Sequence, residues 1–152
     1  MSEIIGNVLF GADQAVGSWM GRRLPDGALD PKAKYLGLIV DKRMAGAVAY
    51  QRFNGVHCEA AIVIENGRAL TRSALHAIFF YPFNTMQAKA ISVMVPSTNL
   101  QSLNLATKLG FTPEALIEFA AHDGSTLVVL KMFRDQCRWI ENGQGQFGAT
   151  GT

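Results

Sequence analysis

Two side chains that can accept protons stand at the start of an apolar run. In VHCEAAIVIE, His57 and Glu59 are two residues apart, so in a strand they share one face, while Cys58 points to the other. An imidazole or a carboxylate at this position could take a proton from a substrate, directly or through water. Both could instead be ordinary solvent-facing residues at a strand end, and Cys58 is most simply a small buried hydrophobe.

A second polar cluster opens the stretch VPSTNLQSLNLATKLGF. Residues 97–99 all carry short oxygen-bearing side chains that can cap a helix, and Asn99 is the predicted cap. Gly110 can adopt the left-handed conformation that ends a helix, with Phe111 folding back onto the last turn. The helix between them is predicted to bury four residues, namely Leu100, Leu103, Ala106 and Leu109.

The size and charge of the chain limit what these residues can belong to. The chain has 152 residues, 49% of them hydrophobic, which suits one domain of ordinary size, predicted over 1–141. The remaining residues 142–152, NGQGQFGATGT, are rich in glycine and predict a flexible tail. A net charge of +2 falls short of a nucleic-acid-binding signature.

Cysteine usage and the N-terminus indicate a soluble cytoplasmic protein without a metal site. Cys58 and Cys137 are the only cysteines, and neither has a partner at metal-ligand spacing. The N-terminus MSEIIGNVLF carries an acid where a signal peptide would be basic, and no apolar run reaches the length of a membrane span.

Hydrophobic periodicity predicts alternating strands and helices. In chain order these are a strand in EIIGNVLF, a helix in ADQAVGSWMGRRL, a hairpin in KYLGLIVDKRMAGAVAYQRF, a strand in VHCEAAIVIE, a helix from Ala69 to Tyr81, a strand in AKAISVMVP, the helix above, a hairpin of ALIEFAAH and STLVVLKMF, and a helix or turn in RDQCRWI. Ala12, Val16, Trp19 and Met20 should form the buried face of the first helix. Pro82 should end the second helix, and Asp-Gly should close the last hairpin tightly. The order of elements predicts an α/β (α+β) fold, a mixed sheet with helices on both faces.

The stretch that starts at Asn99 also carries a family resemblance. Its pattern N..S..L..KLGF..E, followed by a strand, a turn and a final strand ending near an arginine, resembles the GNAT superfamily of acyl-CoA-dependent N-acetyltransferases. The match is closest to the branch of the ribosomal-protein N-terminal acetyltransferases. The matching positions are Asn99, Ser102, Leu105, Lys108, Leu109, Gly110, Phe111 and Glu114, with Met132 and Arg134 near the close. In element order the resemblance spans about residues 35 to 139.

The resemblance implies a fold detail and a cofactor site. The strand before the second helix should splay from its neighbour, and the turn after it should direct backbone amides at the pyrophosphate of acetyl-CoA. That turn is NGRALT here, with Asn66, Ala69 and Thr71 where the family has Gln or Arg, Gly, and Gly or Ala. The implied cofactor contacts are Ile62, Val63, Ile64, Arg68, Ala69, Leu70, Thr71, Arg72 and Asn99. Arg68 and Arg72 could equally form, with His76, a solvated helix face.

The resemblance also implies the chemistry. An amine attacks the thioester directly, a main-chain amide polarises the carbonyl, and no metal takes part. Glu59 is the preferred base, because family bases often lie on this strand. Ser102 matches a serine that serves the leaving thiolate, although it could simply cap the helix. Ala106 stands where many members have a tyrosine acid.

Three functions follow from the resemblance. The first is acetyl transfer from acetyl-CoA to a primary amine on a small molecule or a protein. The second is a catalytically inactive GNAT fold that binds protein or nucleic acid, and the third is an acyltransferase that modifies nucleic acid. The acceptor groove is placed near Trp19, Arg22, Arg23, Tyr50, Glu118 and His122. Nucleic acid is possible but not indicated as a partner, no membrane is expected, and a homodimer remains open.

Overall fold

One mixed sheet of eight strands forms the centre of the molecule. The computed structural model describes residues 2–140, so the predicted tail at 142–152 lies outside the described part. The strands are β1 (Glu3–Ile5), β2 (Val8–Phe10), β3 (Lys34–Val40), β4 (Arg43–Gln51), β5 (His57–Ile64), β6 (Ala90–Pro96), β7 (Thr112–Ile117) and β8 (Leu127–Phe133). The helices are α1 (Asp13–Gly21), α2 (Arg72–Phe80) and α3 (Leu100–Leu109). Within the described range, no helix combines the length and the apolar character needed to cross a bilayer.

The strand order confirms the predicted mixed sheet. Along the sheet the strands lie in the order β1-β2-β3-β4-β5-β6-β8-β7. Every neighbouring pair is antiparallel except the central pair of β5 and β6, which is parallel. The second helix supplies the crossover that a parallel connection needs.

Helices cover both faces, as predicted. On one face α1 buries Val16, Trp19 and Met20 against the alanines of β4. On the other face α2 and α3 share a larger core, in which the rings of Phe79 and Phe111 are 6.0 Å apart. Alternate residues of each central strand therefore face either α1 or the two later helices.

The N-terminal segment differs from its prediction. Instead of one strand, EIIGNVLF forms a hairpin in which Ile5 pairs with Val8. Gly6 has a φ of +62°, a conformation that side chains disfavour, and this is what allows the chain to reverse there. The sequence does carry a signal for this turn, since Gly-Asn lies between two short apolar runs.

The second helix is shorter than predicted, and a short helical turn of another type lies on each side of it. A 3₁₀ turn at Gly67–Ala69 precedes it, and the α-helix begins only at Arg72 because Thr71 caps it. It ends at Phe80, before Pro82 as predicted, but the chain continues through a π-helical turn at Tyr81–Thr85. Pro82 has no N–H to donate to the Ile78 carbonyl one turn earlier, and the Tyr50 hydroxyl donates to that carbonyl instead, at 2.6 Å.

The last helix and the last hairpin are present as predicted, but the buried face of the helix and the loop of the hairpin differ from the prediction. Asn99 caps α3 and Gly110 ends it with a φ of +111°, while Phe111 is buried. Leu100, however, is 69% exposed and does not belong to the buried stripe. Strand β7 begins at Thr112 and stops at Ile117, so a loop over 118–126 joins it to β8. The predicted Asp-Gly pair lies in a tight turn, in which the Gly124 amide donates to the Ala121 carbonyl at 2.9 Å, but this turn is within the loop and does not join the strands directly. RDQCRWI forms a short 3₁₀ turn at Arg134–Gln136.

Candidate active site

The central parallel strands part to form a wedge. Strands β5 and β6 pair only at three rungs, and the last joins Glu59 to Ser92. Beyond that rung β5 continues its pairing with β4 as far as Ile64, and β6 continues its pairing with β8 as far as Pro96. Each strand is thus held by its outer neighbour, so the predicted splay is confirmed.

The predicted cofactor residues of β5 lie along one wall of this wedge. Ile62 and Ile64 pack toward the core beneath α2 and α3, whereas Val63 packs with the residues around α1. Because successive amides of a strand point to opposite sides, alternate amides between Ala60 and Ile64 face the gap instead of a neighbouring strand. The wedge therefore has apolar walls and an edge of main-chain donors.

The turn NGRALT lies at the open end of the wedge, but its own bonds occupy most of its amides. The amide of Arg68 donates to Oδ1 of Asn66 at 2.9 Å. The amides of Ala69 and Leu70 donate to the carbonyls of Asn66 and Gly67 at 2.9 and 3.1 Å. Ala69 is fully buried. The turn is therefore a closed 3₁₀ loop rather than an open row of donors.

The start of α2 retains two amides without a partner. Oγ1 of Thr71 accepts from the amide of Ala74 at 3.0 Å, which caps the third position of the helix. Within residues 2–140 the amides of Arg72 and Ser73 have no intramolecular acceptor. These two donors, together with the exposed side chain of Arg72, are where an anion can approach.

The N-terminal hairpin supports this turn from outside. Nδ2 of Asn7 donates to the carbonyl of Ala69 at 2.9 Å, and Oδ1 of Asn7 accepts from the hydroxyl of Thr71 at 2.6 Å. A Cβ on Gly6 would lie only 2.5 Å from Oγ of Ser73, so the hairpin tip rests directly on α2. No sequence pattern had indicated this contact.

The N-terminus of α3 lies at the same open end, because β6 leads into it. Oδ1 of Asn99 accepts from the amide of Ser102 at 3.1 Å, so the predicted cap is confirmed. Ser102 is half-buried, and its hydroxyl has no hydrogen-bond partner among the described residues. Ala106, the residue in the tyrosine position, is buried in the core.

A loop contact holds the last hairpin beside α3. The carboxylate of Asp123 accepts from the hydroxyl of Thr98 at 2.7 Å and from the amide of Ser125 at 2.9 Å. Bonds from the Ser125 hydroxyl, the Thr98 hydroxyl and the Ser125 amide, in that order of effect, lower the pKa of Asp123 to about 2. The carboxylate stays charged and ties the loop to the residue just before the helix cap.

Polar side chains gather on the α1 face, at the closed end of the wedge. Oε2 of Glu59 accepts from Nε2 of Gln51 at 3.0 Å and from Nη1 of Arg52 at 3.2 Å, and the Glu59 side chain is 17% exposed. His57 lies on the same face, as predicted, and its Nε2 is 2.6 Å from Oγ of Ser92.

Ser92 was missed by the sequence analysis. Its only signal was a single hydroxyl inside the apolar run AISVMVP, where an unpartnered polar group would be costly.

This face remains open beside β6 and β8. Met94 on β6 and Phe133 on β8 point to the α1 side and are 43% and 47% exposed. Of the residues assigned to the acceptor groove, Trp19 and Arg23 are on this side, with the Arg23 guanidinium 3.8 Å from the Trp19 ring centre and bonded to Glu65.

Tyr50 does not belong to the groove. It faces α2, is buried, and donates its hydroxyl to the carbonyl of Ile78 at 2.6 Å. Burial raises the pKa of Tyr50 well above its ordinary value.

Three features together define the GNAT fold. They are the splayed central pair of strands, the crossover helix that starts at the open end of the wedge, and the final hairpin. Solved structures share this fold. A protein assigned as an acetyltransferase aligns with a TM-score of 0.68 and 14% identity, covering 89% of this chain and 90% of its own. The ribosomal-protein-S5-alanine acetyltransferase from Vibrio fischeri aligns with a TM-score of 0.61 and 16% identity, covering 90% and 98%. The N-acetyltransferase PseH from Campylobacter jejuni, in complex with acetyl coenzyme A, aligns with a TM-score of 0.50 and 17% identity, covering 68% and 70%.

At these identities the likeness concerns the fold. No family model matches the sequence, and no curated protein matches it. The chain therefore has the GNAT fold.

Proposed function

We propose that this protein is an N-acetyltransferase that moves an acetyl group from acetyl-CoA to a primary amine by direct attack. The observation that carries the proposal is the wedge beyond Glu59 and Ser92, whose open end meets the N-termini of α2 and α3. A wedge with apolar walls and main-chain donors suits a pantetheine chain that ends in a thioester. A protein of the same fold binds acetyl coenzyme A, which supports this choice of donor.

The cofactor contacts predicted from the sequence fit the wedge in a modified form. Ile62, Val63 and Ile64 would flank the pantetheine, with one gap-facing amide polarising the thioester carbonyl. The diphosphate would bind at the unpartnered amides of Arg72 and Ser73 and at the guanidinium groups of Arg68 and Arg72. Ala69, Leu70 and Thr71 would shape the turn rather than donate to phosphate. Asn99 would lie beside the cofactor at the start of α3.

The acetyl donor and the acceptor amine would then approach from different faces of the sheet. The acceptor amine would approach from the α1 face, where Glu59 and His57 can accept its proton. The amine nitrogen would attack the thioester carbon, and the C–S bond would break as the amide forms. Ser102, half-buried at the first turn of α3, would donate a hydrogen bond to the leaving thiolate. The acceptor is an amine of a small molecule or of a protein, and the neighbour that acetylates a ribosomal-protein alanine makes a peptide N-terminus the first to try.

Calorimetric titration with acetyl-CoA tests the first half of the proposal. We expect saturable binding that Arg72→Ala weakens about fivefold, because one charged contact to phosphate is lost. Lys89→Ala is the control, since Lys89 is exposed at the start of β6, opposite the open end of the wedge. The absence of any binding at millimolar acetyl-CoA would rule the proposal out.

Release of free CoA tests the second half. Acetyl-CoA is incubated with a panel of amines, namely an alanine-terminated peptide, a lysine-containing peptide and spermidine, and the new thiol is measured with a thiol reagent. Cys58 and Cys137 are both buried, so the protein itself adds little signal. Amine-dependent thiol release, with the acetylated amine identified by mass spectrometry, is the expected result.

A second candidate function is a fold that no longer catalyses and serves as a binding module. The closed bonding of the NGRALT turn and the buried Ala106 favour it. It predicts that no amine of the panel releases CoA, even where acetyl-CoA binds. Amine-dependent thiol release that scales with the amount of protein and yields the acetylated amine would exclude it.

A further inference from the structure

His57 and Ser92 are linked across the closed end of the wedge. Nε2 of His57 is 2.6 Å from Oγ of Ser92, and the two residues belong to the last three rungs that pair β5 with β6. Ser92 is only 3% exposed, whereas His57 is half-buried. The serine is thus the fixed partner in the sheet, and Nδ1 of the imidazole has no hydrogen-bond partner among residues 2–140.

We propose that Ser92 holds His57 as the tautomer with its proton on Nε2, and that Nδ1 of His57 takes the proton from the attacking amine. This inference rests on the function proposed above and names the group that acts there. A serine oxygen can accept from Nε2–H whether the ring is neutral or protonated. The same contact therefore persists before and after proton transfer, so the ring does not need to turn.

The proton transfers and bond changes balance. The acceptor arrives as an ammonium ion and gives one proton to Nδ1, which leaves a free amine and an imidazolium. The amine lone pair forms the N–C bond with the thioester carbon, and the C–S bond breaks with its electron pair going to sulfur. The thiolate takes the second proton from nitrogen, and the imidazolium returns its proton to solvent.

Other charged groups surround the imidazole. Glu59 is two residues along the same face, and its Oε2 already accepts hydrogen bonds from Gln51 and Arg52. The charged groups on or beside this face are Glu59, Arg52 after β4, Asp30 next to Gln51, and Lys131 of β8 with its partner Glu114. Because two donors already bind Glu59, the proton is assigned to the unpartnered Nδ1 of His57.

The pH dependence of kcat/KM separates the two candidate bases. With the most active amine of the panel, kcat/KM should show an acidic limb, in which activity rises with pH as the base loses its proton. His57→Gln should remove this acidic limb and lower kcat/KM about 100-fold or more. Glu59→Gln should keep the limb, because the imidazole that takes the proton is unchanged. A limb that survives His57→Gln and disappears in Glu59→Gln would overturn the inference. His76→Gln, on the exposed face of α2, is the matched control and should match the wild type.

A matched pair at position 92 tests the positioning role. Ser92→Thr and Ser92→Val give side chains of the same shape. Threonine keeps the hydroxyl, and valine has a methyl group in its place. The threonine variant should keep the acidic limb, and the valine variant should fall about five- to tenfold below it, the worth of one hydrogen bond. Equal activity and equal pH profiles for the two variants would contradict the role of Ser92.

An NMR measurement of the imidazole nitrogens needs neither acetyl-CoA nor an acceptor. In the wild type, neutral His57 should be one tautomer, protonated at Nε2, and in Ser92→Val both tautomers should appear. A wild-type ring protonated mainly at Nδ1, with the Ser92 hydroxyl donating to Nε2, or a ring divided equally between the tautomers would overturn the inference whatever the activity. Failure of acetyl transfer itself would instead contradict the proposed function, and this spectrum would still report on the link between Ser92 and His57.

Discussion

Glu59 of β5 and Ser92 of β6 form the last rung at which the two central strands are paired. Both side chains point to the α1 face, whereas the core under α2 and α3 fills the opposite side of the same strands. The rung therefore marks the point where an apolar slot on one side meets a polar, partly open surface on the other. A thioester and an amine that enter from opposite faces would meet there.

Asn7→Ala should loosen the turn before α2. The substitution removes the bonds to the Ala69 carbonyl and the Thr71 hydroxyl, and it leaves a buried carbonyl without a donor. We expect a loss of about 1–3 kcal/mol in the free energy of unfolding, measured by urea denaturation. Asn104→Ala, on the exposed side of α3, should change it little, and equal losses in the two variants would contradict the contact.

Ala106→Tyr should destabilise the protein rather than add a proton donor. Ala106 is 6% exposed and lies in the core shared by α2 and α3, where a phenol ring has no space. Overpacking of this kind costs about 1–3 kcal/mol, which thermal and urea unfolding would register. Asn104→Tyr on the exposed side of the same helix is the control. A stable Ala106→Tyr variant with faster CoA release would show that the position can still hold the acid.

Acid should release the loop over 118–126 from α3. The pKa of Asp123 is lowered from 3.8 to about 2, so the carboxylate binds its partners more tightly when folded than an ordinary carboxyl would. Its contribution is fully present above the ordinary pKa and is lost as the pH falls through about 2. The Ser125 amide resonance, followed by NMR from about pH 5 to about pH 2, should move only at the acid end. Asp123→Asn should abolish this late shift, and an unchanged shift in that variant would assign it to another group.

Both cysteines should resist thiol reagents in the folded protein. Burial raises the pKa of Cys58 and of Cys137 to about 11, so almost no thiolate exists near neutrality, and the sulfur atoms are also inaccessible. At about pH 8 the native protein should react far more slowly than a free thiol, whose pKa is about 8.5. Urea should expose two reactive thiols per chain. Rapid reaction of either cysteine without denaturant would contradict the packing around it.

Strong local patterns determined how much of the fold could be predicted. The apolar runs of β5 and β6, together with the Asn99 cap and the Gly110 terminator, identified three central elements because each pattern has a local physical cause. The turn at Gly6 was missed although its signal is local, because Gly-Asn between two short apolar runs is typical of a two-residue hairpin turn.

The candidate site was less predictable, because its bonds join distant parts of the chain. Whether the Arg68 amide is free depends on the Asn66 side chain folding back, and whether the turn is fixed depends on Asn7. The sequence did not predict a role for Ser92, because that role depends on the strand register that places Ser92 opposite Glu59. Contacts of this kind depend on tertiary structure, which periodicity does not encode.

The three rungs between β5 and β6 also divide the sheet mechanically. On one side lies an antiparallel block of β1 to β5, and on the other an antiparallel block of β6, β8 and β7. This central ladder has three rungs, fewer than the six between β4 and β5 and the seven between β6 and β8 on either side of it, so the seam can act as a hinge between these two flanking ladders. A small rotation about this seam would change the width of the wedge while leaving the ladders on both sides intact.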